Sequence, residues 1–130
     1  MFRTLGLLAL GAALLLGATY RPAEAFPDFK KAFDAKYVKG GSDALKAAFK
    51  TQSCNTCHIK GKPKKMQNAY GHELHEALED LYTKGVKKNI KTDKEAILKA
   101  LDTAFKTVGA KKSKSGETYD ARIKAGDLKF

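Results

Sequence analysis

The stretch SCNTCHIKG, residues 53–61, holds both cysteines of the chain and one of its three histidines. Two thiols three positions apart, followed at once by an imidazole, suit only a few chemistries. A disulfide between Cys54 and Cys57 would close a very small ring, which removes little entropy from the unfolded chain and makes weak scaffolding. A thioredoxin-like dithiol wants a strand, the motif and a helix inside a βαβ unit, and the sequence has no strand pattern. A structural zinc site needs four ligands, and beyond the motif there is no third cysteine, only His72 and His75.

Covalent attachment of haem is the chemistry that uses every part of the motif. The spacing lets Cys54 and Cys57 reach the two vinyl groups on one porphyrin edge as thioethers. His58, beside the second anchor, can then bring its ring beneath the iron as an axial ligand. The opposite axial position is taken in such sites by a methionine or a second histidine. Met66 is the only thioether left once the initiator is removed, and it follows His58 by eight residues in a lysine-rich loop. With Tyr70 set at 0° on a helix, apolar positions gather between about −20° and 120°, His75 falls at about 140° and His72 at about 200°. His75, at the border of the apolar face, is the preferred distal ligand; Met66, His72 and an open position remain alternatives. Tyr70 is expected to pack on the haem edge with its hydroxyl toward a propionate, or else to be a core aromatic with a wet tip.

The elements around the motif read as helices. PDFKKAFDAKYV repeats Phe29, Phe33 and Tyr37 every four residues and stops at Gly40-Gly41. SDALKAAFKTQ starts at Ser42 as an N-cap, turns Leu45, Ala48 and Phe49 to one face, and runs into the cysteine segment. After a loop containing Gly61 and Pro63, a helix capped by Asn68 carries Tyr70, Leu74, Ala77, Leu78 and Leu81 on one face and ends at Gly85. TDKE, residues 92–95, is a capping box for a helix with Ile97, Leu101, Phe105 and Val108 inward and Gly109 at its end. The tail is a polar loop followed by a short helix from Tyr119 to Ala125, stopped by Gly126. The expected fold class is all-α, four or five short helices around a loop-borne motif.

Residues 1–25 form a secretory leader: Arg3, an apolar run from Leu5 to Ala18, and Ala23-Glu24-Ala25 as the cleavage signal before Phe26. The run falls short of the roughly 20 apolar residues of a spanning helix. Residues 26–130 then make one domain, in the periplasm or another extracytoplasmic compartment. A chain of this size has a modest core, to which a large apolar cofactor can add much. The formal net charge of the whole chain is +11. Lysines crowd the loop after the motif (Lys60, Lys62, Lys64, Lys65) and recur at Lys84, Lys87, Lys88, Lys91 and Lys94, and at Lys111, Lys112 and Lys114. Such a rim steers acidic redox protein partners and suits transient association with an anionic membrane surface. Export and the lack of a recognition motif speak against nucleic acid.

With its leader, a helix entering C54-N-T-C-H58, a loop with glycine and proline, and a closing amphipathic helix, the chain resembles the small soluble monohaem cytochromes c. GKPKKMQNAYGHELHEAL, residues 61–78, also looks like a pattern following the haem motif in a bacterial subgroup of small cytochromes. The resemblance implies a small cytochrome c-like domain around one haem c, held by Cys54 and Cys57 with His58 proximal. It implies an electron carrier between extracytoplasmic redox partners rather than an enzyme. The departure from the family is that no methionine follows Met66, where a distal methionine well downstream is usual. A haem subunit of a larger oxidoreductase, or a small-ligand sensor with an open distal site, are the alternatives.

Overall fold

Five α-helices, one π-helical turn and one 3₁₀ turn organise the chain in a computed structural model that describes residues 27–83 and 94–130. The expected leader, the stop at Gly85, the Thr92 cap and Lys84, Lys87, Lys88 and Lys91 lie outside the described residues. Helix α1, Pro27–Phe33, begins on a proline whose fixed φ suits a first turn, with Asp28 favourably placed against the helix dipole. Where the four-residue spacing predicts one α-helix to Val38, the backbone widens into a π-helical turn over Asp34–Val38, closed by the Lys39 N–H donating to the Asp34 carbonyl at 2.9 Å. The wider turn buries two successive side chains, Tyr37 and Val38.

Helix α2, Asp43–Gln52, starts at the expected cap: the Ser42 hydroxyl accepts the Leu45 N–H at 3.2 Å. Leu45 and Phe49 are its buried residues. Helices α3, Ala69–Thr83, and α4, Lys94–Gly109, form the principal helix pair. Tyr70, Leu74 and Leu78 of α3 and Leu101, Phe105 and Val108 of α4 are all buried, which matches the apolar stripe read from each segment. Ala100 and Ala104 widen the α4 stripe, and Ile97 only borders the core. Gly109, expected at the end of the helix, is its last residue and is buried.

Helix α5, Tyr119–Lys124, is capped by the Thr118 hydroxyl, which accepts the Ala121 N–H at 3.2 Å. It ends where Gly126 takes φ +80°, a left-handed conformation that costs glycine little. The described residues contain no β-sheet, only isolated antiparallel bridges at His58–Gln67 and Lys112–Thr118. The protein is therefore a small all-α domain of about five short helices.

The core is aromatic. Phe33 stands at its centre, with ring centroids 5.0 Å from Tyr37, 5.4 Å from Phe49 and 5.8 Å from Phe105. A second group joins Tyr70 to Tyr119 at 5.2 Å and to Phe130 at 4.9 Å. Each such ring contributes roughly 1.5–3 kcal/mol by leaving water, so α1, α3, α4 and the C-terminal segment hold one another in place. The cysteine segment rests against this framework.

Candidate functional site

The motif leaves α2 through a sharp change of direction. Ser53 has φ 48° and ψ −116°, the one positive φ at a non-glycine residue among those described. Such a conformation costs on the order of 1–3 kcal/mol and persists only when its surroundings hold it. It starts a 3₁₀ turn, Ser53–Thr56, whose Cys54 carbonyl accepts from both the Cys57 N–H (3.3 Å) and the His58 N–H (3.1 Å). One turn of backbone therefore carries both thiols and the imidazole. Cys54 is exposed, Cys57 is half-buried, and neither is in a disulfide.

The chain then doubles back. His58 bridges Gln67, the Ile59 N–H donates to the Met66 carbonyl at 3.1 Å, and the Met66 N–H donates to the Pro63 carbonyl at 2.8 Å. Neighbouring side chains on such a ladder point to opposite faces. His58 and Gln67 accordingly line the pocket described below, whereas Ile59 and Met66 do not and are 39% and 41% exposed.

Asn68 ties the next helix to the motif. Its carboxamide oxygen accepts the Gly71 N–H at 2.8 Å, the N-cap bond expected from the sequence. Its amide nitrogen donates to the carbonyls of Thr56 (2.9 Å) and Asn55 (3.3 Å), the two residues between the cysteines. The Asn68 N–H also donates to the Cys57 carbonyl at 3.1 Å. One turn further along, α3 passes so close that a Cβ on Gly71 would lie 2.0 Å from the Cys57 carbonyl oxygen. Only a hydrogen fits there.

A pocket of ≈ 470 Å³ opens beside the motif, inside the roughly 300–1,000 Å³ range of small-molecule and cofactor sites. Its apolar walls are Phe29, Phe33, Phe49, Leu74, Leu78 and Phe105. Cys54, Cys57 and His58 line one side, His75 contributes from α3, and Lys30, Lys64 and Lys65 supply positive charge. A second depression of ≈ 490 Å³, between α2 and the C-terminal segment, is lined by neither cysteine nor histidine.

Burial, and secondarily the neighbouring Cys54, push the Cys57 thiol up to about 12. A reactive dithiol needs the reverse, a thiol eased toward its thiolate, so the environment speaks against redox exchange at this pair. Burial lowers the pKa of His58, and Lys64 acts in the same direction; backbone groups of Lys64 and Met66 oppose them. Burial thus favours the neutral ring, the form that binds metals. Its Nδ1 is buried without a hydrogen-bond partner, as is the hydroxyl of Thr56, another pocket residue.

The remaining candidates separate. His75 lines the pocket at its rim with its side chain 61% exposed and its Nε2 4.0 Å from Glu79. His72 and Met66 do not line the pocket, and His72 Nε2 lies 3.3 Å from Glu76. Tyr70 is not a pocket residue either. It is wholly buried among Phe33, Tyr119 and Phe130, so its tip is dry, and its hydroxyl is without a hydrogen-bond partner. Among the described residues no three His, Cys, Asp or Glu side chains group so as to hold a bare metal ion.

Thr56, Gln67, Gly71 and the second role of Asn68 were not singled out in the sequence as parts of this site. The asparagine carried a signal in its capping position, but its carbonyl partners lie twelve and thirteen residues away, and only the folded chain brings them near. The site thus belongs to a small helical domain in which two thiols and an imidazole line one apolar pocket. Comparison with family models, with curated proteins and with solved structures found no match.

Proposed function

We propose that the protein is an exported electron carrier of the monohaem cytochrome c kind, with haem c joined to Cys54 and Cys57 and ligated by His58. The observation that carries this reading is the convergence of both thiols and the half-buried imidazole on one apolar pocket. The residues fit such a group. The walls suit a flat macrocycle, the thiols lie on the same side as the imidazole, and lysines offer partners for two propionates. The unpartnered Nδ1 of His58 has a donor role to fill once the other nitrogen binds iron.

When bound, the haem supplies an iron that accepts and releases one electron with little change in geometry. The chain does the rest. Cys54 and Cys57 tether, His58 ligates, and the phenylalanine walls exclude water and so bear on the potential. Lys30, Lys64 and Lys65 put positive charge at the pocket, where an acidic redox protein partner would dock. His75 is the distal ligand in this reading, because it alone of the three candidates borders the pocket.

The test is the natively exported, matured chain. Its mass should exceed that of the polypeptide by one haem, and haem stain should remain on the band after denaturation. Cys54→Ser with Cys57→Ser should lose both. A matured chain without haem mass overturns the proposal. The exposure of His75 favours one further reading, a displaceable distal ligand and hence small-ligand binding. Carbon monoxide added to the reduced protein separates the two: a carrier binds it slowly or not at all, and a sensor takes it up at once.

A further inference from the structure

The outer wall of the pocket carries a surface the electron-carrier reading does not use. Residues 58–67, HIKGKPKKMQ, form the loop that closes on itself through the His58–Gln67 bridge and the Ile59–Met66 backbone bond. Its alternation sends Ile59 and Met66 away from the pocket. These are two of the three large apolar side chains left exposed among the described residues. They stand at adjoining positions on the two arms of the loop, with Lys60, Lys62, Lys64 and Lys65 between them in sequence. No acidic residue occurs from Ala44 to His72, so the segment contributes positive charge and no carboxylate of its own. Lys60 and Lys62 are exposed and form no ion pair with any of the described residues. By contrast, Lys36, Lys99, Lys106 and Lys111 elsewhere on the surface all pair with carboxylates.

We propose that this loop docks the protein on an anionic lipid surface, Ile59 and Met66 entering the headgroup boundary while Lys60 and Lys62 meet the lipid phosphates. Two observations favour a bilayer over a protein at this face. A specific protein interface needs roughly 1,200–2,000 Å² of buried surface, and two apolar side chains on a narrow loop supply only a small centre for one. A bilayer sets no such minimum, since juxtamembrane lysines and a few inserted apolar groups add up residue by residue. The second is the unbroken positive sign. A protein dock is usually kept in register by interspersed charges, whereas an anionic leaflet presents one sign everywhere. Lys64 and Lys65 of the same loop, with Lys30 of α1, line the pocket instead. A docked molecule therefore keeps its pocket open to a partner in the membrane plane.

The test is co-sedimentation of the full matured protein with vesicles, read as protein mass in the pellet, so the outcome does not depend on what the pocket holds. Vesicles of phosphatidylcholine with about a third phosphatidylglycerol should retain the protein at low salt, and pure phosphatidylcholine should not. At about 1 kcal/mol per lysine near an anionic surface, Lys60→Gln with Lys62→Gln should lower the partition coefficient by about thirtyfold. Ile59→Ser with Met66→Ser, both at exposed positions that spare the core, should lower it several-fold and leave the circular dichroism spectrum unchanged. Lys99→Gln with Lys106→Gln, equal in charge but distant in sequence, should change it far less. Equal losses from both lysine pairs would mean diffuse charge attraction and overturn the proposal. So would equal binding to both kinds of vesicle, or retention of an acidic redox protein that depends on Ile59 and Met66 while vesicle binding does not.

Discussion

His75 and Met66 compete for one role, and their surroundings differ in kind. His75 rides on α3 one turn after Gly71, the residue pressed against Cys57, and so borders the pocket. Met66 is one residue from the pocket-lining Gln67, and that single step along the bridged, extended segment reverses its direction. On the proposed reading, His75→Ala should change the axial-ligand signature in near-infrared magnetic circular dichroism and open the iron to carbon monoxide. Met66→Leu should leave that spectrum as it is. A sulfur-to-iron band in the unaltered protein, lost in Met66→Leu, would reverse the assignment. The sequence angle had already put His75 at the edge of the apolar face. It had no means of telling which way Met66 points, because that depends on a pairing between residues nine apart.

The junction between α3 and the cysteine turn depends on Asn68 and Gly71. Asn68 uses its oxygen to cap the helix and its nitrogen to hold the carbonyls of Asn55 and Thr56. Asn68→Asp keeps the cap and loses the nitrogen donors; Asn68→Ala loses all three bonds. A cap is worth about 1 kcal/mol and a buried hydrogen bond about as much again. Asn68→Ala should therefore cost roughly 2–3 kcal/mol in urea unfolding. Asn68→Asp should cost at least as much despite keeping the cap, because a carboxylate oxygen would then face the Asn55 and Thr56 carbonyls. A loss much smaller than that of Asn68→Ala would mean that the two nitrogen-donated bonds contribute little. Gly71→Ala should be worse than either, because its Cβ meets backbone and the helix must move away from Cys57. The helix itself was readable from its 3.6-residue stripe and its cap, and so was its neighbour α4. The closeness of α3 to the motif was not, since a glycine inside a helical pattern does not announce what lies beside it.

Two groups of ionisable side chains set how the molecule as a whole responds to pH. The Tyr37 hydroxyl, 3.0 Å from Asp120 Oδ1, and the buried Tyr70 hydroxyl both have pKa values raised far above the ordinary 10.0, chiefly by burial. A raised value means that the fold favours the neutral phenol. That contribution is complete below about pH 10 and is lost as pH climbs through the folded values. Asp102 moves oppositely. Hydrogen bonds from Lys106 and Lys36 lower it from 3.8 to about 2, so its contribution is present above pH 3.8 and fades as pH falls toward 2. The urea midpoint should fall at both extremes. Tyr37→Phe with Tyr70→Phe should flatten the alkaline side alone, and Asp102→Asn should soften the acid side alone. A double phenylalanine variant with an unchanged alkaline limb would count against buried tyrosines as its cause.

Residue types and spacing alone identified the helical class, most helix boundaries, the caps at Ser42 and Asn68, and a motif whose three residues line one pocket. All of these are local: a 3.6-residue repeat, a cap or a two-residue gap depends on neighbours within one or two turns. Tertiary structure decided the π-helical turn at Asp34–Val38, the outward face of Met66, the interior place of Tyr70 and the closeness of Gly71 to Cys57. Each depends on what a side chain meets across the fold, and burial against a distant partner outweighs the local preference that the sequence displays.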